Sequence, residues 1–255
     1  MKLKIAIVQM EIDDGRKKEN LDRALQYLEK SKSLKPDIVC LPELFTTGYD
    51  LKNTKVLAEP LSGETVTKLL EVSERNFAIL GTFLEEKEGN YYNCGFFIDN
   101  GKIIHTYRKI HLFTPMEEKK FLTPGNSISS FTFNNIKIGM GICYDLRFPE
   151  FFRKLASEDV MVIFLPSEFP DPKREIWKSL SFARSIENQC YFVAINRVGK
   201  GKQNTFFGNS LVTDGKTIKV MDEDPRIGVY TLDIKNIEEL RKELPLFTDR
   251  REDLY

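Results

Sequence analysis

Apolar stretches with strand-like and helix-like spacing alternate from the first residues onward. Residues 4–9 (KIAIVQ) read as a buried strand, after which Leu21, Leu25 and Leu28 recur at helical spacing, with Asn20 placed to cap or begin that turn. Residues 37–43 (DIVCLPE) form a second expected strand entered through Pro36, followed by a helix over 66–76 and a strand over 78–83. The runs 91–98 and 103–107 flank Asp99-Asn100-Gly101, and the runs 131–133 and 136–142 flank Asn134-Asn135. Both are hairpin signals, because asparagine and glycine supply the positive φ angles of a tight turn. A helix over 149–157, a strand over 160–165, a helix over 174–188 and a strand over 191–196 come next. A hairpin of 207–213 with 217–220 around Asp214-Gly215, a strand over 229–233 and a helix over 237–244 complete the pattern, and Pro245 opens an irregular charged tail.

Nothing in this succession marks a linker or a break, so the pattern predicts one α/β domain over residues 1–255. Hairpins interleave with helices, which disfavours a purely parallel doubly wound sheet and favours sheets inside with helices outside. A chain of 255 residues, 41% of them hydrophobic, is enough for one sizeable core. Its 38 basic residues equal its 38 acidic ones, a balance that argues against a nucleic-acid partner. No apolar run approaches a membrane span, and residues 1–10 are too short and strand-like for a signal peptide, so a cytoplasmic protein without a membrane partner is expected. Cys40, Cys94, Cys143 and Cys190 are far apart and fit free thiols in a reducing compartment. With His105 and His111 they match no common zinc-ligand spacing, and no metal is expected.

Three segments carry candidate chemistry. In IKIGMGICYDLRFPEFFRKL an apolar strand ends at Ile142, Cys143 follows, and a helical pattern begins. A nucleophile on such a turn is held exposed, with the Tyr144 N–H placed to face an oxyanion and Gly139 and Gly141 allowing close packing beneath. Taken alone, Cys143 reads at least as well as an inert core thiol. Glu43 ends DIVCLPE before an abrupt turn; partly buried, it is a base with a raised pKa, and otherwise it is a loop carboxylate. Lys109, in YRKIHLF, stands among Tyr107, Ile110, Leu112 and Phe113. A buried cation there needs partners, and Glu43 with the Cys143 thiolate or an oxyanion would serve, the cation in turn lowering the thiol pKa.

In order and spacing, LPELFTTGY, YRKIHLF and GICYDLRFPE resemble the three signature blocks of the nitrilase superfamily of carbon–nitrogen hydrolases, with 66 positions from Glu43 to Lys109 and 34 from Lys109 to Cys143. ARSIENQCYFVAINRVG, the opening KIAIVQM and the ending DRREDLY resemble further parts of that superfamily, so the likeness spans essentially the whole chain. It implies a four-layer α-β-β-α sandwich that assembles as a homodimer or larger homo-oligomer and hydrolyses a small-molecule amide with no metal or organic cofactor. Carried over by motif, Glu43 is the general base, Lys109 stabilises the tetrahedral intermediate and Cys143 forms a thioester. Many members use a second glutamate after the lysine; in FTPMEEKKFLTPG, counting back from the TPG turn, Glu118 matches better than Glu117. The helix after Cys143 carries Phe148, Phe151, Phe152 and Leu155, too apolar a set for a solvated face, and is a candidate dimer contact.

LPELFTTGY together with CYDLRFPE is similar to the ω-amidase branch, which deamidates 2-oxo acid amides such as 2-oxoglutaramate. After VIFLP the chain departs from it, with Ser167-Glu168-Phe169-Pro170 where many members carry an Ala-Asn-Trp-Pro-like run. A Glu168 facing the pocket would repel a carboxylate and welcome an amine, favouring N-carbamoyl-amine or amino-amide substrates. Otherwise it points outward or pairs with Arg147, Lys173 or Arg174. Arg147 reads either as a carboxylate-binding residue or as a structural ion-pair partner. Phe113, Tyr144 and Phe169 complete the expected substrate-binding set. A nitrilase is the nearest rival within the superfamily, and a scaffold or thiol redox protein the rival outside it. The intact Glu43, Lys109 and Cys143 argue against a scaffold, and a redox sensor would want a resolving cysteine, which the sequence does not place beside Cys143.

Overall fold

The computed structural model describes residues 1–74, 76–251 and 253–254. The first half of the chain gives β1 (Lys2–Gln9), α1 (Lys17–Lys32), β2 (Ile38–Cys40), α2 (Thr54–Leu57), α3 (Glu64–Ser73), β3 (Ala78–Lys87), β4 (Asn90–Asp99), β5 (Lys102–Arg108) and α4 (Glu118–Phe121). The second half gives β6 (Ser130–Phe133), β7 (Ile136–Met140), α5 (Pro149–Ala156), β8 (Val162–Ser167), α6 (Arg174–Asn188), β9 (Tyr191–Asn196), β10 (Val198–Lys200), β11 (Thr205–Phe207), β12 (Leu211–Thr213), β13 (Ile218–Val220), β14 (Arg226–Asp233) and α7 (Ile234–Glu243). Two six-stranded sheets result, ordered β14-β1-β2-β3-β4-β5 and β13-β12-β9-β8-β7-β6, with β10 and β11 as a separate hairpin. Each sheet has a parallel centre, β1-β2-β3 in one and β7-β8-β9 in the other. Antiparallel strands flank both centres.

The side-chain alternation along β1 explains the layering. Ile5 and Ile7 enter the core shared with Ile138, Met140 and Phe164 of the other sheet. Ala6 and Val8, on the opposite face, meet Leu21, Ala24 and Leu28 of α1 and Val66 and Leu69 of α3. Successive strand residues point to opposite faces, so a strand covered on both sides is apolar throughout, which is why β1 and β2 carry unbroken hydrophobic runs. On the far side α5 lies over β7: a Cβ at Gly139 would stand 3.0 Å from Leu155, and one at Gly141 3.0 Å from Phe151. The layers therefore run helix, sheet, sheet, helix, an α-β-β-α sandwich.

Several elements differ from the sequence reading. The strand over 37–43 stops at Cys40, leaving Glu43 on the turn beyond it. The run 207–213 splits between β11 and β12 because Gly208 and Asn209 take positive φ angles of 66° and 51°. Strands β3 and β4 extend to a polar hairpin at Glu88-Gly89, which hydrophobic spacing does not reveal. Phe151, Phe152 and Leu155 are at most 2% exposed, so the apolar face of the helix after Cys143 is spent on its own sheet and leaves Phe148 alone partly uncovered.

Candidate active site

The chemistry-bearing side chains leave both sheets and meet. Glu43 follows β2, Lys109 directly follows β5, Cys143 follows β7, Glu168 directly follows β8, and Glu118 opens α4. The turns that deliver them are sharp. Leu44 (φ 41°), Glu117 (φ 60°) and Cys143 (φ 43°) hold left-handed backbone without being glycine. Such a conformation costs about 1–3 kcal/mol and persists where the surrounding packing imposes it.

Lys109 is 1% exposed. Its Nζ donates to Glu43 Oε1 at 2.8 Å, to Glu118 Oε1 at 2.8 Å and to the Tyr49 hydroxyl at 3.2 Å. That hydroxyl in turn lies 2.7 Å from Glu43 Oε1 and 2.7 Å from Glu118 Oε1. A phenol has one hydrogen and can donate along one of these contacts. The other calls for a proton on the carboxyl, and burial pushes the Glu118 carboxyl up against the opposing pull of Lys109. A proton on Glu118, donated to the Tyr49 oxygen, completes the ring of hydrogen bonds. Glu118 Oε2 accepts the Phe113 N–H, which fixes the carboxyl plane. Glu117, by contrast, is exposed and pairs with Lys120, so the tandem glutamates divide into one inside and one outside.

Glu43 Oε1 takes three donors, from Lys109, Tyr49 and Asn93 Nδ2 (2.7 Å), whereas Oε2 takes the Glu168 N–H at 2.7 Å. Oε2 is thus the atom with room for an incoming proton. The Cys143 thiol is 6% exposed. Burial pushes it well above the ordinary thiol range, and the charge of Glu43 and a hydrogen bond to it push the same way; Lys109 pulls down and loses. The lysine lowers the thiol pKa as expected, but burial and Glu43 outweigh it. The resting group is a thiol beside a carboxylate.

Asp145 secures the turn that carries Cys143. Its Oδ2 accepts the Ile142 N–H at 2.8 Å and the Tyr107 hydroxyl at 2.8 Å. Its Oδ1 accepts the His111 N–H at 3.2 Å and lies 2.7 Å from His111 Nδ1. One carboxylate thereby ties the cysteine turn to the segment that holds Lys109.

All five expected substrate-binding residues, Phe113, Tyr144, Arg147, Glu168 and Phe169, line one small cavity with Cys143, of about 20 Å³. Tyr49 and Met116 separate it from a larger groove of about 370 Å³ bordered by Asp14, Asp50, Lys52 and Lys202. Glu168 is not paired with Arg147, Lys173 or Arg174. Its Oε2 receives Arg197 Nη1 at 2.9 Å, and Arg174 binds Asp171 and Glu223. Burial outweighs the guanidinium and pushes Glu168 up to about 8, so near neutral pH the side chain is largely uncharged and does not repel a carboxylate. Among the described residues, no group of three or more His, Cys, Asp or Glu side chains is placed to hold a metal ion.

Sequence reasoning did not single out Tyr49, Asn93, Asp145 or Arg197. Tyr49, Asp145 and Arg197 stand inside motif blocks, which was the available signal. Asn93 interrupts an apolar strand 50 positions from its partner Glu43, and nothing in the chain marks it.

A carbon-nitrogen hydrolase family model matches residues 4–242. The chain is 36% identical over 260 residues to the 2-oxoglutaramate amidase of Bacillus subtilis (strain 168), with 100% of each chain covered. It is 31% identical over 268 residues to the ω-amidase NIT2 of Homo sapiens, covering 99% of this chain and 96% of that one. Among solved structures it is similar to a CN-hydrolase superfamily protein of Xanthomonas campestris that carries an arsenic adduct in its active site, with a TM-score of 0.93, 27% identity, and 99% and 98% of the two chains covered.

Proposed function

The chain belongs to the carbon–nitrogen hydrolase family, and from that premise we propose that it is an ω-amidase, which releases ammonia from the terminal amide of a 2-oxo acid amide such as 2-oxoglutaramate. The observation that carries the reading is Lys109, whose nitrogen stands 2.8 Å from two buried carboxylates with the Cys143 thiol alongside. In this reading the thiol proton passes to Glu43 Oε2 as sulfur attacks the amide carbon, because the resting sulfur is protonated. Lys109 and the Tyr144 N–H hold the oxyanion, the interaction that usually supplies the largest share of catalysis. Glu43 returns its proton to the departing ammonia, and water hydrolyses the thioester with carboxylate assistance. Glu118 acts through Lys109 and Tyr49, keeping the proton count of the cluster fixed. An uncharged Glu168 removes the objection to an acidic substrate.

We further infer one catalytic domain working in the cytoplasm as a homodimer. Ile176 and Ile186 of α6 remain 41% and 46% exposed, and Leu244 beyond α7 50%, an apolar set suited to a second copy. The four cysteines are free thiols, and no helix among the described residues is long and apolar enough to cross a membrane.

The test is ammonia release from a panel holding 2-oxoglutaramate, a simple aliphatic amide, an N-carbamoyl amine and a nitrile. The highest kcat/KM is expected on 2-oxoglutaramate. A higher value on any other member overturns the ω-amidase reading, and turnover that survives in Cys143→Ala overturns the mechanism.

A further inference from the structure

Glu168 is buried and lines the cavity that holds Cys143. Its Oε2 receives Arg197 Nη1 at 2.9 Å, while Oε1, equally buried, has no hydrogen-bond partner among the described residues. A buried polar atom without a partner is uncommon enough to call for a reason. The same residue begins at the proposed proton acceptor, since its N–H donates to Glu43 Oε2 at 2.7 Å. Glu168 thus joins the oxygen that must take a proton to the cavity that holds the sulfur. The neighbouring polar groups are committed elsewhere. Lys109 Nζ spends its three hydrogens on Glu43, Glu118 and Tyr49, and Asn93 Nδ2 and the Tyr49 hydroxyl both sit on Glu43 Oε1.

In the route described above, ammonia departs with the proton of Glu43 Oε2, and the water that follows must give its own proton to that oxygen. A water is held in place by two or more polar partners, of which Glu43 Oε2 supplies one. We propose that the free oxygen of Glu168 supplies the second, holding the hydrolytic water against Glu43 Oε2 so that it faces the thioester carbon. This rests on the thioester route and on no particular amide. With Oε2 turned to Arg197, the hydrogen of the carboxyl lies on Oε1 and is donated to one lone pair of the water, leaving the other to attack. As the new C–O bond forms, a water proton passes to Glu43 Oε2. The tetrahedral intermediate then breaks its C–S bond, and Glu43 returns the proton to sulfur, which leaves a carboxylic acid and the resting thiol. Glu168 keeps its own proton throughout. Burial, outweighing Arg197, holds that proton up to about pH 8. Arg197, Asp14 and Glu43 act on the carboxyl through charge, and Tyr49, Tyr144, Cys143, Arg147 and Lys173 share its cavity.

p-Nitrophenyl acetate separates the two steps, because nitrophenolate appears in a burst as Cys143 is acetylated and afterwards at the rate of deacetylation. In Glu168→Met the burst is expected within about twofold of the parent's rate constant and the steady rate about tenfold lower, with acetyl-Cys143 accumulating in the mass spectrum. Burst and steady rate that fall together, or a steady rate that does not change, overturn the proposal. Glu168→Gln places an N–H where the acid has its O–H and keeps an acceptor for Arg197. Its steady rate at about pH 7 stays within about threefold of the parent's, and the parent falls behind it above about pH 8, where Glu168 loses its hydrogen. The other titrating groups are common to both proteins. A ratio of the two steady rates that stays flat from about pH 7 to about pH 9 therefore overturns the proposal, even if Glu168→Met, with Arg197 stripped of its nearest carboxylate, does not fold. No burst and no acetyl adduct in the parent would instead refute the thioester route itself, and the place of the water falls with it.

Discussion

The guanidinium of Arg197 meets the carboxyl of Glu168 at 2.9 Å, and neither side chain is exposed to solvent. Burial nonetheless dominates, pushing the carboxyl from an ordinary 4.5 up to about 8. Between those values the folded protein keeps a proton that the unfolded chain has released. The stabilisation is therefore full below about 4.5 and is lost as pH rises to about 8. Glu168→Gln keeps the shape and removes the titration. Its unfolding free energy from urea melts is expected to gain on the parent's across that window, by up to a few kcal/mol. A parent-to-variant difference that stays flat with pH contradicts the argument.

Tyr49→Phe removes the hydroxyl that lies between Glu43 and Glu118 and leaves an oxygen on each carboxyl without that partner. We expect kcat to fall about ten- to a hundredfold with a smaller change in KM, and the acid limb of the pH–rate profile to move. Steady-state kinetics across pH read both. An unchanged profile would mean that the hydroxyl does no more than fill space.

Glu43→Gln and Glu118→Gln separate the two carboxyls. Glu43 is the proposed proton acceptor, so its amide is expected to lose about a thousandfold or more in kcat. Burial pushes the Glu118 carboxyl up and so favours a proton on it, and an amide nitrogen can donate to Tyr49 in its place. Its variant forfeits one acceptor for Lys109 and is expected to retain clearly more activity. Equal losses would refute the division of labour.

The cysteines differ in reach as well as in role. Cys40, Cys94 and Cys190 are wholly buried, while Cys143 is 6% exposed, and burial raises all four thiols. Cys143→Ala is expected to abolish turnover. Alanine at the other three sites costs stability on the order of 1 kcal/mol each and leaves turnover in place. Iodoacetamide should mark Cys143 alone in the folded protein, with a rate still climbing at about pH 9 because no thiolate stands ready at neutrality. A plateau below about pH 7 would restore the lysine-stabilised thiolate.

The fold was legible wherever burial on both faces writes itself as an apolar run. The boundaries of α6 and β9 match the sequence reading to the residue, since Trp177 and the run YFVAIN admit one arrangement each. Glu43, Lys109 and Cys143 were legible through motif order, and their convergence follows from turns beyond strands of both sheets. What stayed hidden is pairwise. Arg197 takes Glu168 although Arg147, Lys173 and Arg174 lie closer to it in sequence, because Arg197 directly follows the neighbouring parallel strand β9. The direction of the thiol shift was hidden for a related reason. Residue types announce a cation beside the sulfur, whereas the burial that outweighs it is a property of the packed sandwich.

Glu43 and Lys109 leave one sheet, Cys143 and Glu168 leave the other, and the Glu168 N–H reaches Glu43 at 2.7 Å across the gap. Turnover is accordingly a gauge of how firmly the two slabs stay clamped. A slide of about 1 Å, far too small to wet the core, would part proton acceptor from sulfur and cost about a hundredfold in rate. Warming should then silence the enzyme while its circular dichroism still looks native. Side chains at the seam, such as Met140, whose sulfur fills the space a Cβ on Gly95 would take, help keep time for a reaction they never touch.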